Sequence, residues 1–273
     1  MSKQHERKLA RWLAREKAAN RAKDQFLAIL SHELRTPLNP ALLLASDGAQ
    51  NYQLPSQVRE DFDEICRSIE IEARLIDDLL DLTRIASGKL TLDRNPVDAH
   101  IILQDVLSII DYEIAQKHIF LKLHFGADRH EILGDSIRLK QIFWNVLKNA
   151  VKFTATAGQI AIETETIADH KLVVKISDTG IGMDADEIRT VFDKFSQGAH
   201  GMGGLGLGLT ISRKLVKLHS GSIHASSLGK GKGAVFSIVF PLMKTTEEEM
   251  RVATAPVREE NGKGTSDCRK YLI

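Results

Sequence analysis

The chain has 273 residues, of which 43% are apolar and 27% charged, and its formal net charge is +1. This length suits about two globular domains, and the balanced charge argues against a general attraction to nucleic acid or to an anionic membrane. Cys66 and Cys268 form neither a disulfide framework nor a zinc motif. No apolar run reaches the ~18 residues of a membrane span, and the charged N-terminus is unlike a signal peptide. We therefore expect a reducing, cytoplasmic location.

The N-terminal part of the chain has a helical pattern. Residues 1–30 contain no glycine or proline and are rich in Lys, Arg, Ala and Glu, which favours helix. The pattern continues through Leu43 but is interrupted by Pro37 and Pro40. Proline lacks an amide hydrogen and crowds the carbonyl four residues earlier, so we expect a bend just after His32. Residues 47–56 predict a turn.

A second helix with a regular apolar seam follows and is expected to stop near Ser87-Gly88, since glycine suits the C-terminal cap of a helix. A hairpin of two such helices cannot bury this stripe alone, whereas two copies could form a four-helix bundle. We therefore predict a homodimer. The seam alternates spacings of four and three, as a bundle requires, at Val58, Phe62, Ile65, Ile69, Glu72, Ile76, Leu79 and Thr83.

From about residue 97 the hydrophobic period changes, and strands and helices follow in an order typical of an α+β layer sandwich. Polar residues 244–273 predict a flexible tail or linker. The expected helices are 101–115, 139–151, 185–192 and 206–219, and the expected strands are 119–125, 131–134, 159–167, 171–177, 222–226 and 234–240.

The segment around His32 has residue types suited to a nucleophile. A neutral imidazole can attack phosphorus, and a carboxylate such as Glu33 can fix its tautomer and raise its basicity. Thr36 lies one helical turn after His32, so its hydroxyl could position a water molecule. Alone, a His-Glu pair on a helix is more often an ordinary exposed pair.

A polar helical face suggests a place for Mg²⁺ and phosphate. Asn145 and Asn149 are four residues apart, and their amide oxygens are hard donors of the kind that Mg²⁺ prefers. Lys152 lies one turn further and could meet a phosphate, while Phe153 could pack against an adenine ring. Two asparagines on a helix mean little without other signals.

Two glycine-rich turns complete the candidate nucleotide site. Asp178 ends a predicted strand and could accept a hydrogen bond from the adenine amine, while Gly180 and Gly182 allow close backbone approach. The run Gly201–Gly208 opens onto a helix whose first N–H groups favour phosphate. It is not a Walker A loop, because no Gly-Lys-Ser/Thr follows. A turn without a ligand and a mobile packing loop remain alternatives.

Five elements in this order closely resemble the catalytic core of bacterial-type sensor histidine kinases. The resemblance covers about residues 20–243. The elements are His32-Glu33-Leu34-Arg35-Thr36-Pro37, Asn145-x-x-x-Asn149-Ala150-x-Lys152-Phe153, Asp178-x-Gly180-x-Gly182, Phe192-x-x-Phe195 and Gly204-Leu205-Gly206-Leu207-Gly208-Leu209.

The resemblance implies a dimeric four-helix bundle followed by an α/β sandwich of the gyrase, Hsp90 and histidine kinase type. It implies domains at 1–22 (lead-in helix), 23–90 (dimerisation and phosphotransfer hairpin), 97–243 (ATP-binding) and 244–273 (tail). ATP and Mg²⁺ are the expected cofactors, and a response-regulator receiver domain is the expected partner.

The resemblance also implies a role for each matching residue. His32 would be phosphorylated with help from Glu33, and Thr36 would support dephosphorylation of the regulator. Asn149 would hold Mg²⁺ with Asn145 nearby, and Asp178 would bind adenine. The remaining expected ATP-binding residues are Lys152, Phe153, Gly180, Gly182, Gly204, Leu205, Gly206, Leu207 and Gly208.

Two alternatives and one question about the chain end stay open at this point. An ATP hydrolase of the gyrase–Hsp90 type would make the His32 segment accidental, and a non-catalytic dimer would act as a scaffold or phosphatase. Residues 269–273 resemble the start of a receiver domain, which suggests a fragment of a hybrid kinase.

Overall fold

The computed structural model describes residues 34–167, 170–194 and 206–243. Its first part is a helical hairpin. Residues 34–50 form helix α1, which includes both Pro37 and Pro40, and α2 spans Ser56–Ala86. The predicted turn at 47–56 is too long, because residues 47–50 are still helical. The expected bend after His32 and the lead-in helix lie outside the described residues.

The end of α2 is closed as the sequence predicts. Gly88 has φ = +66°, the left-handed conformation that glycine adopts without a steric penalty. Its N–H donates to the carbonyl of Ile85 (3.1 Å), and the N–H of Lys89 donates to that of Arg84 (3.0 Å). These bonds satisfy carbonyls that the helix leaves free.

The second part of the chain forms a five-stranded sheet in the order β2–β4–β5–β7–β6, and only the β2–β4 pair is parallel. A two-stranded antiparallel ribbon pairs β1 with β3. The strands are β1 Asn95–Asp98, β2 Phe120–Phe125, β3 Glu131–Gly134, β4 Gln159–Ile167, β5 Lys171–Asp178, β6 Ser222–Ser226 and β7 Ala234–Pro241.

Helices cover one face of this sheet and bury the core. They are α3 Ala99–Gln116, α4 Ser136–Phe153 and α6 Gly208–Leu218, whereas the short helix α5 Ala185–Thr190 contains no buried residue. α4 packs against both α3 and α6, and Phe143 of α4 meets Phe240 of β7 edge to face at 6.2 Å. Alternate residues of β4 are buried, beginning with Ile160 and Ile162. The predicted layer sandwich is confirmed.

Aspartates start α3 and α4. Asp98 accepts from the N–H groups of His100 (2.8 Å) and Ile101 (3.2 Å). Asp135 accepts from those of Ile137 (3.1 Å) and Arg138 (3.2 Å). Such caps each stabilise a helix by about 1 kcal/mol. They place the starts of α3 and α4 two or three residues earlier than the sequence pattern predicts.

A buried histidine joins the end of α6 to the start of α4. His219 Nδ1 lies 2.8 Å from the carbonyl of Leu215, and the N–H of Asp135 donates to His219 Nε2 at 3.1 Å. The acceptor role of Nε2 puts the proton on Nδ1. Burial lowers the pKa of His219, so the neutral ring is favoured. Helices α4 and α6 are thereby fixed to each other at one end.

Across the three described ranges, we find no helix with the length and apolar character needed to cross a membrane.

Candidate functional site

Three segments that are distant in sequence meet at α4. The N–H of Ile181, in the turn after β5, donates to the carbonyl of Phe153 at the end of α4 (3.3 Å). The side-chain amide of Asn145 donates to the carbonyl of Gly208 at the start of α6 (3.1 Å), 63 residues later in the chain. The structure therefore brings the predicted asparagine helix, aspartate turn and glycine-rich helix start into one place.

Asp178 is held by two backbone donors at the end of β5. Its Oδ1 accepts from the N–H of Gly180 (2.8 Å) and from that of Ala234 on β7 (3.2 Å). No hydrogen bond to Oδ2 is found from the residues that the structure describes. Burial raises the pKa of the carboxyl, and the two N–H donors oppose that rise. One oxygen is thus fixed by the fold, and the other is left for a ligand.

The glycines after Asp178 are required by close backbone approach. A Cβ on Gly180 would lie 2.5 Å from the carbonyl oxygen of Phe153. Gly182 has φ = +64°, and its Cβ would lie 2.1 Å from the carbonyl oxygen of Gly229. Real Cβ atoms do not approach so closely, so larger residues would displace the turn and move Asp178.

The two asparagines of α4 have different surroundings. Asn145 is buried, and its Nδ2 donates to Gly208 O and to Ser212 Oγ (3.2 Å), so it ties α4 to α6. Asn149 is half-buried, and none of the described residues hydrogen-bonds its side chain. An amide oxygen in that condition fits a Mg²⁺ ligand. The structure thus supports Asn149 better than Asn145 as the metal-binding residue.

The end of α4 carries the predicted lysine and phenylalanine. Lys152 is half-buried, burial lowers its pKa, and its Nζ lies 4.9 Å from the centre of the Phe153 ring. Lys117, which the sequence analysis missed, donates to the carbonyls of Val151 (2.7 Å), Lys152 (3.0 Å) and Thr154 (3.1 Å). It caps α4 where the helix dipole is negative, but only the fold reveals this role.

The start of α6 is fixed on its protein side. Gly206 has φ = +67°, and Leu207 is buried. The buried hydroxyl of Thr210 donates to the carbonyl of Phe192 (3.0 Å), which joins α6 to the segment after α5. Gly204 and Leu205, with the rest of the predicted glycine run before Gly206, lie outside the described residues, as does Phe195.

His32 and Glu33 also lie outside the described residues, so the structure places neither. Thr36 is described and is exposed on α1. Arg35, beside it, forms an ion pair with Asp77 of α2, which joins the two helices of the hairpin.

Comparisons with known proteins match both parts of the chain. The "His Kinase A (phospho-acceptor) domain" family matches residues 22–88, and the "Histidine kinase-, DNA gyrase B-, and HSP90-like ATPase" family matches residues 134–244. The sensor protein GacS of Pseudomonas syringae pv. syringae is 34% identical over 255 residues, covering 90% of this chain and 28% of GacS. The hybrid signal transduction histidine kinase D of Dictyostelium discoideum is 31% identical, covering 82% and 18%.

Solved structures give the same result. Full-length ShkA in complex with AMPPNP superposes with a TM-score of 0.67 at 30% identity, over 81% of this chain and 46% of ShkA. The Acinetobacter baumannii histidine kinase AdeS superposes with a TM-score of 0.56 over 78% of this chain and 98% of AdeS; at 21% identity it supports the fold alone.

A phospho-acceptor hairpin followed by this type of ATPase sandwich defines the catalytic core of a histidine kinase. The chain belongs to the sensor histidine kinases, and it spans less than a third of the length of the curated relatives described above. The phospho-acceptor match at residues 22–88 removes the alternative of a gyrase- or Hsp90-type hydrolase with an accidental His32 segment.

Proposed function

We propose that this chain binds Mg-ATP in the sandwich and transfers the terminal phosphoryl group to His32. The observation that carries the proposal is that the C-terminal half of α4, which includes Asn149, meets both the turn after Asp178 and the start of α6. The phospho-acceptor match over residues 22–88 includes His32 and supports it as the nucleophile. ShkA, which shares the fold, was solved with the ATP analogue AMPPNP.

Each described group has a distinct task in nucleotide binding. Asp178 Oδ2 accepts a hydrogen bond from the adenine amine, while Oδ1 stays with its two backbone donors. Asn149 holds Mg²⁺, which when bound supplies positive charge to the phosphates. Lys152 adds a further positive charge beside Phe153. The N–H groups of the Gly204–Gly208 segment and of the α6 start bind phosphate oxygens.

The transfer itself is a substitution at phosphorus. A lone pair on one ring nitrogen of His32 forms the N–P bond, and the bond from phosphorus to the bridging oxygen breaks, leaving ADP with the electron pair. Glu33 accepts a hydrogen bond from the other ring N–H and stabilises the positive charge that develops on the imidazole. The protein contributes mainly positioning and electrostatic stabilisation.

The partners follow from the same proposal. Two hairpins form a homodimer, and the phosphoryl group passes from His32 to an aspartate on the receiver domain of a response regulator. Thr36, four residues after His32 in the sequence, is exposed on α1, and its hydroxyl can orient a water molecule. This position supports a second activity, dephosphorylation of the regulator. We place the reaction in the cytoplasm, where ATP is available.

Incubation of the full chain with γ-labelled ATP tests the proposal. The label should be stable in alkali and labile in acid, which is characteristic of phosphohistidine. It should disappear in His32→Gln and fall strongly in Asn149→Ala, while remaining in His118→Gln, an exposed histidine of the sandwich. Undiminished label in His32→Gln would place the acceptor elsewhere and overturn the proposal.

A further inference from the structure

A cluster of Asp98, His100 and His130 lies apart from the nucleotide site, where β1 leads into α3 and the chain enters β3. One potential ligand atom from each of the three side chains lies within 4.8 Å of the other two. All three residues are half-buried, so the cluster is neither a loose surface group nor part of the apolar core.

The ligand types indicate which ion would fit. Two imidazole nitrogens with one carboxylate oxygen suit borderline divalent transition metals such as Zn²⁺ and Co²⁺. Mg²⁺ and Ca²⁺ prefer oxygen ligands alone. We propose that Asp98, His100 and His130 form a binding site for a divalent transition metal, with water completing the coordination.

Neighbouring groups already orient the three side chains. Asp98 is fixed by the two backbone N–H groups at the start of α3, and His130 Nδ1 lies 2.8 Å from Asp98 Oδ1. His100 Nε2 lies 2.8 Å from the hydroxyl oxygen of Thr164, a buried residue of β4. For His100, this hydrogen bond on one ring nitrogen orients the ring and leaves the other nitrogen for the metal.

The charges of the cluster agree with this chemistry. Burial raises the pKa of Asp98, but hydrogen bonds from Ile101 N–H, His130 and His100 N–H outweigh this effect and bring the pKa below its ordinary value. The carboxylate is therefore ionised. Burial and the neighbouring His130 lower the pKa of His100. A neutral imidazole beside a carboxylate is the form that binds metal.

Binding needs a local adjustment of the two rings. The rings of His100 and His130 are stacked at 4.1 Å with 17° between their planes. Metal–nitrogen bonds of about 2.0–2.1 Å place neighbouring tetrahedral ligands roughly 3.3 Å apart. The most distant ligand atoms must therefore approach by up to about 1.5 Å. The His100 ring also stacks on Phe125 at 4.7 Å, so a shift of His100 toward the metal would change this stack as well.

The cluster and the nucleotide site are separate positions on one sheet. Thr164 follows Ile160 by four residues on β4, and Ile160 is the register partner of Asp178. At ~3.3 Å per residue the two places are about 13 Å apart along the strand. The metal would join α3 to the β1–β3 ribbon, and Mg-ATP would not compete for it.

Titration of the full chain with Co²⁺, in the presence of excess Mg²⁺ to fill oxygen-only sites, tests this proposal. Visible absorption should report one Co²⁺ per chain with nitrogen ligands. The melting temperature should rise by roughly 5–10 °C at free Co²⁺ a hundred times its dissociation constant. His130→Gln and His100→Gln should lose both signals, whereas His224→Gln, an exposed histidine on β6, should keep them.

Asp98→Asn separates ligand loss from unfolding, because an asparagine still caps α3 while the carboxylate charge is removed. This variant should keep its far-UV circular dichroism and bind Co²⁺ at least tenfold more weakly. Absence of Co²⁺ binding in the wild-type chain would overturn the proposal. Equal binding by wild type, His100→Gln and His130→Gln would overturn it too.

Discussion

Asp178 carries a charge that burial disfavours. Its pKa is raised by burial, so the folded chain holds the proton more tightly than the unfolded chain does. The stability that the bound proton contributes is fully present below the pKa of Asp178 in the unfolded chain. It is lost as pH rises through the pKa of Asp178 in the folded chain. At neutral pH the ionised carboxylate therefore lowers stability, while it provides the acceptor for adenine.

Asp178→Asn separates these two effects. The amide oxygen of asparagine can still accept from Gly180 and Ala234, but its NH₂ group would face the adenine amine. We expect the empty domain to melt at the same or a higher temperature and ATP to bind roughly 10- to 100-fold more weakly. Calorimetric titration and thermal denaturation measure both, with the exposed Asp186→Asn as control. Unchanged ATP affinity would remove Asp178 from the adenine site.

Gly182, in the turn after Asp178, can be compared with Gly231, in the loop between β6 and β7. Gly182 and Gly231 both have positive φ, at +64° and +73°, but a Cβ has open space only at Gly231. Gly231→Ala should lose about 1 kcal/mol from backbone strain, whereas Gly182→Ala should lose at least 2 kcal/mol more because of its contact with Gly229. Urea denaturation measures both values. Equal losses would show that the close approach is unimportant.

At the residue scale, the sequence supplied the identities of the site residues but not their contacts. Asp178, Gly180 and Gly182 could be selected because their types and spacing suit a strand-end turn. The Ala234 N–H that holds Asp178 is 56 residues away and carries no side-chain signal. Likewise, nothing in the local sequence shows that the side chain of Asn145 is hydrogen-bonded to α6 while that of Asn149 is not.

At the scale of elements, α2 and α4 meet through a group of charged side chains. Asp81 Oδ2 accepts from Arg138 (2.7 Å) and Gln141 (2.8 Å) of α4. The guanidinium of Arg74 lies 3.7 Å from the centre of the Trp144 ring. Burial, followed by the neighbouring Asp81, raises the pKa of Asp78 in this group to about 6.

This raised pKa predicts a pH-dependent stability. Asp78 binds its proton more tightly in the folded chain, so the stability linked to the proton is lost as pH rises through about 6. The stabilising effect of Asp78→Asn should therefore grow by about 1 kcal/mol between pH 5 and pH 8. Urea denaturation at both values is the measurement, with the exposed Asp61→Asn of α2 as control. A difference that does not change with pH would contradict the assigned environment.

Element types could be predicted from periodicity, but the starts of α3 and α4 and the existence of strand β1 could not. β1 was missed because it has only four residues, contains Pro96, and is defined by its pairing with β3. The bounds of β4, by contrast, were predicted correctly, since apolar and polar residues alternate from Gln159 to Ile167. Sequence pattern thus sufficed where an element buries one face, and failed where pairing alone defines it.

At the scale of the whole molecule, the hairpin leaves apolar side chains exposed in the single chain. Leu43 and Leu44 of α1 are 65% and 70% exposed, and Ile65 and Leu79 in the seam of α2 are 47% and 46% exposed. A second hairpin would cover such a surface. The exposure supports the proposed four-helix dimer.

The double change Ile69→Glu and Ile76→Glu places two charges in the seam of α2. Burying them in a bundle is unfavourable, so we expect the dissociation constant of the dimer to rise at least a hundredfold. Sedimentation equilibrium measures this constant. Ile71→Glu, on the same helix but outside the seam and 57% exposed, is the matched control. A double variant that dimerises like wild type would rule out this interface.

Phosphorylation of His32 by nucleotide bound in the sandwich can be observed directly. Mass spectrometry of peptides from the full chain, incubated with Mg-ATP and kept alkaline throughout, locates the phosphoryl group directly. We expect the phosphoryl group on the His32 imidazole. In the Asp178→Asn variant, incubated at an ATP concentration below its dissociation constant for ATP, we expect none. A phosphoryl group on any other residue, with His32 unmodified, would show that His32 is not the acceptor.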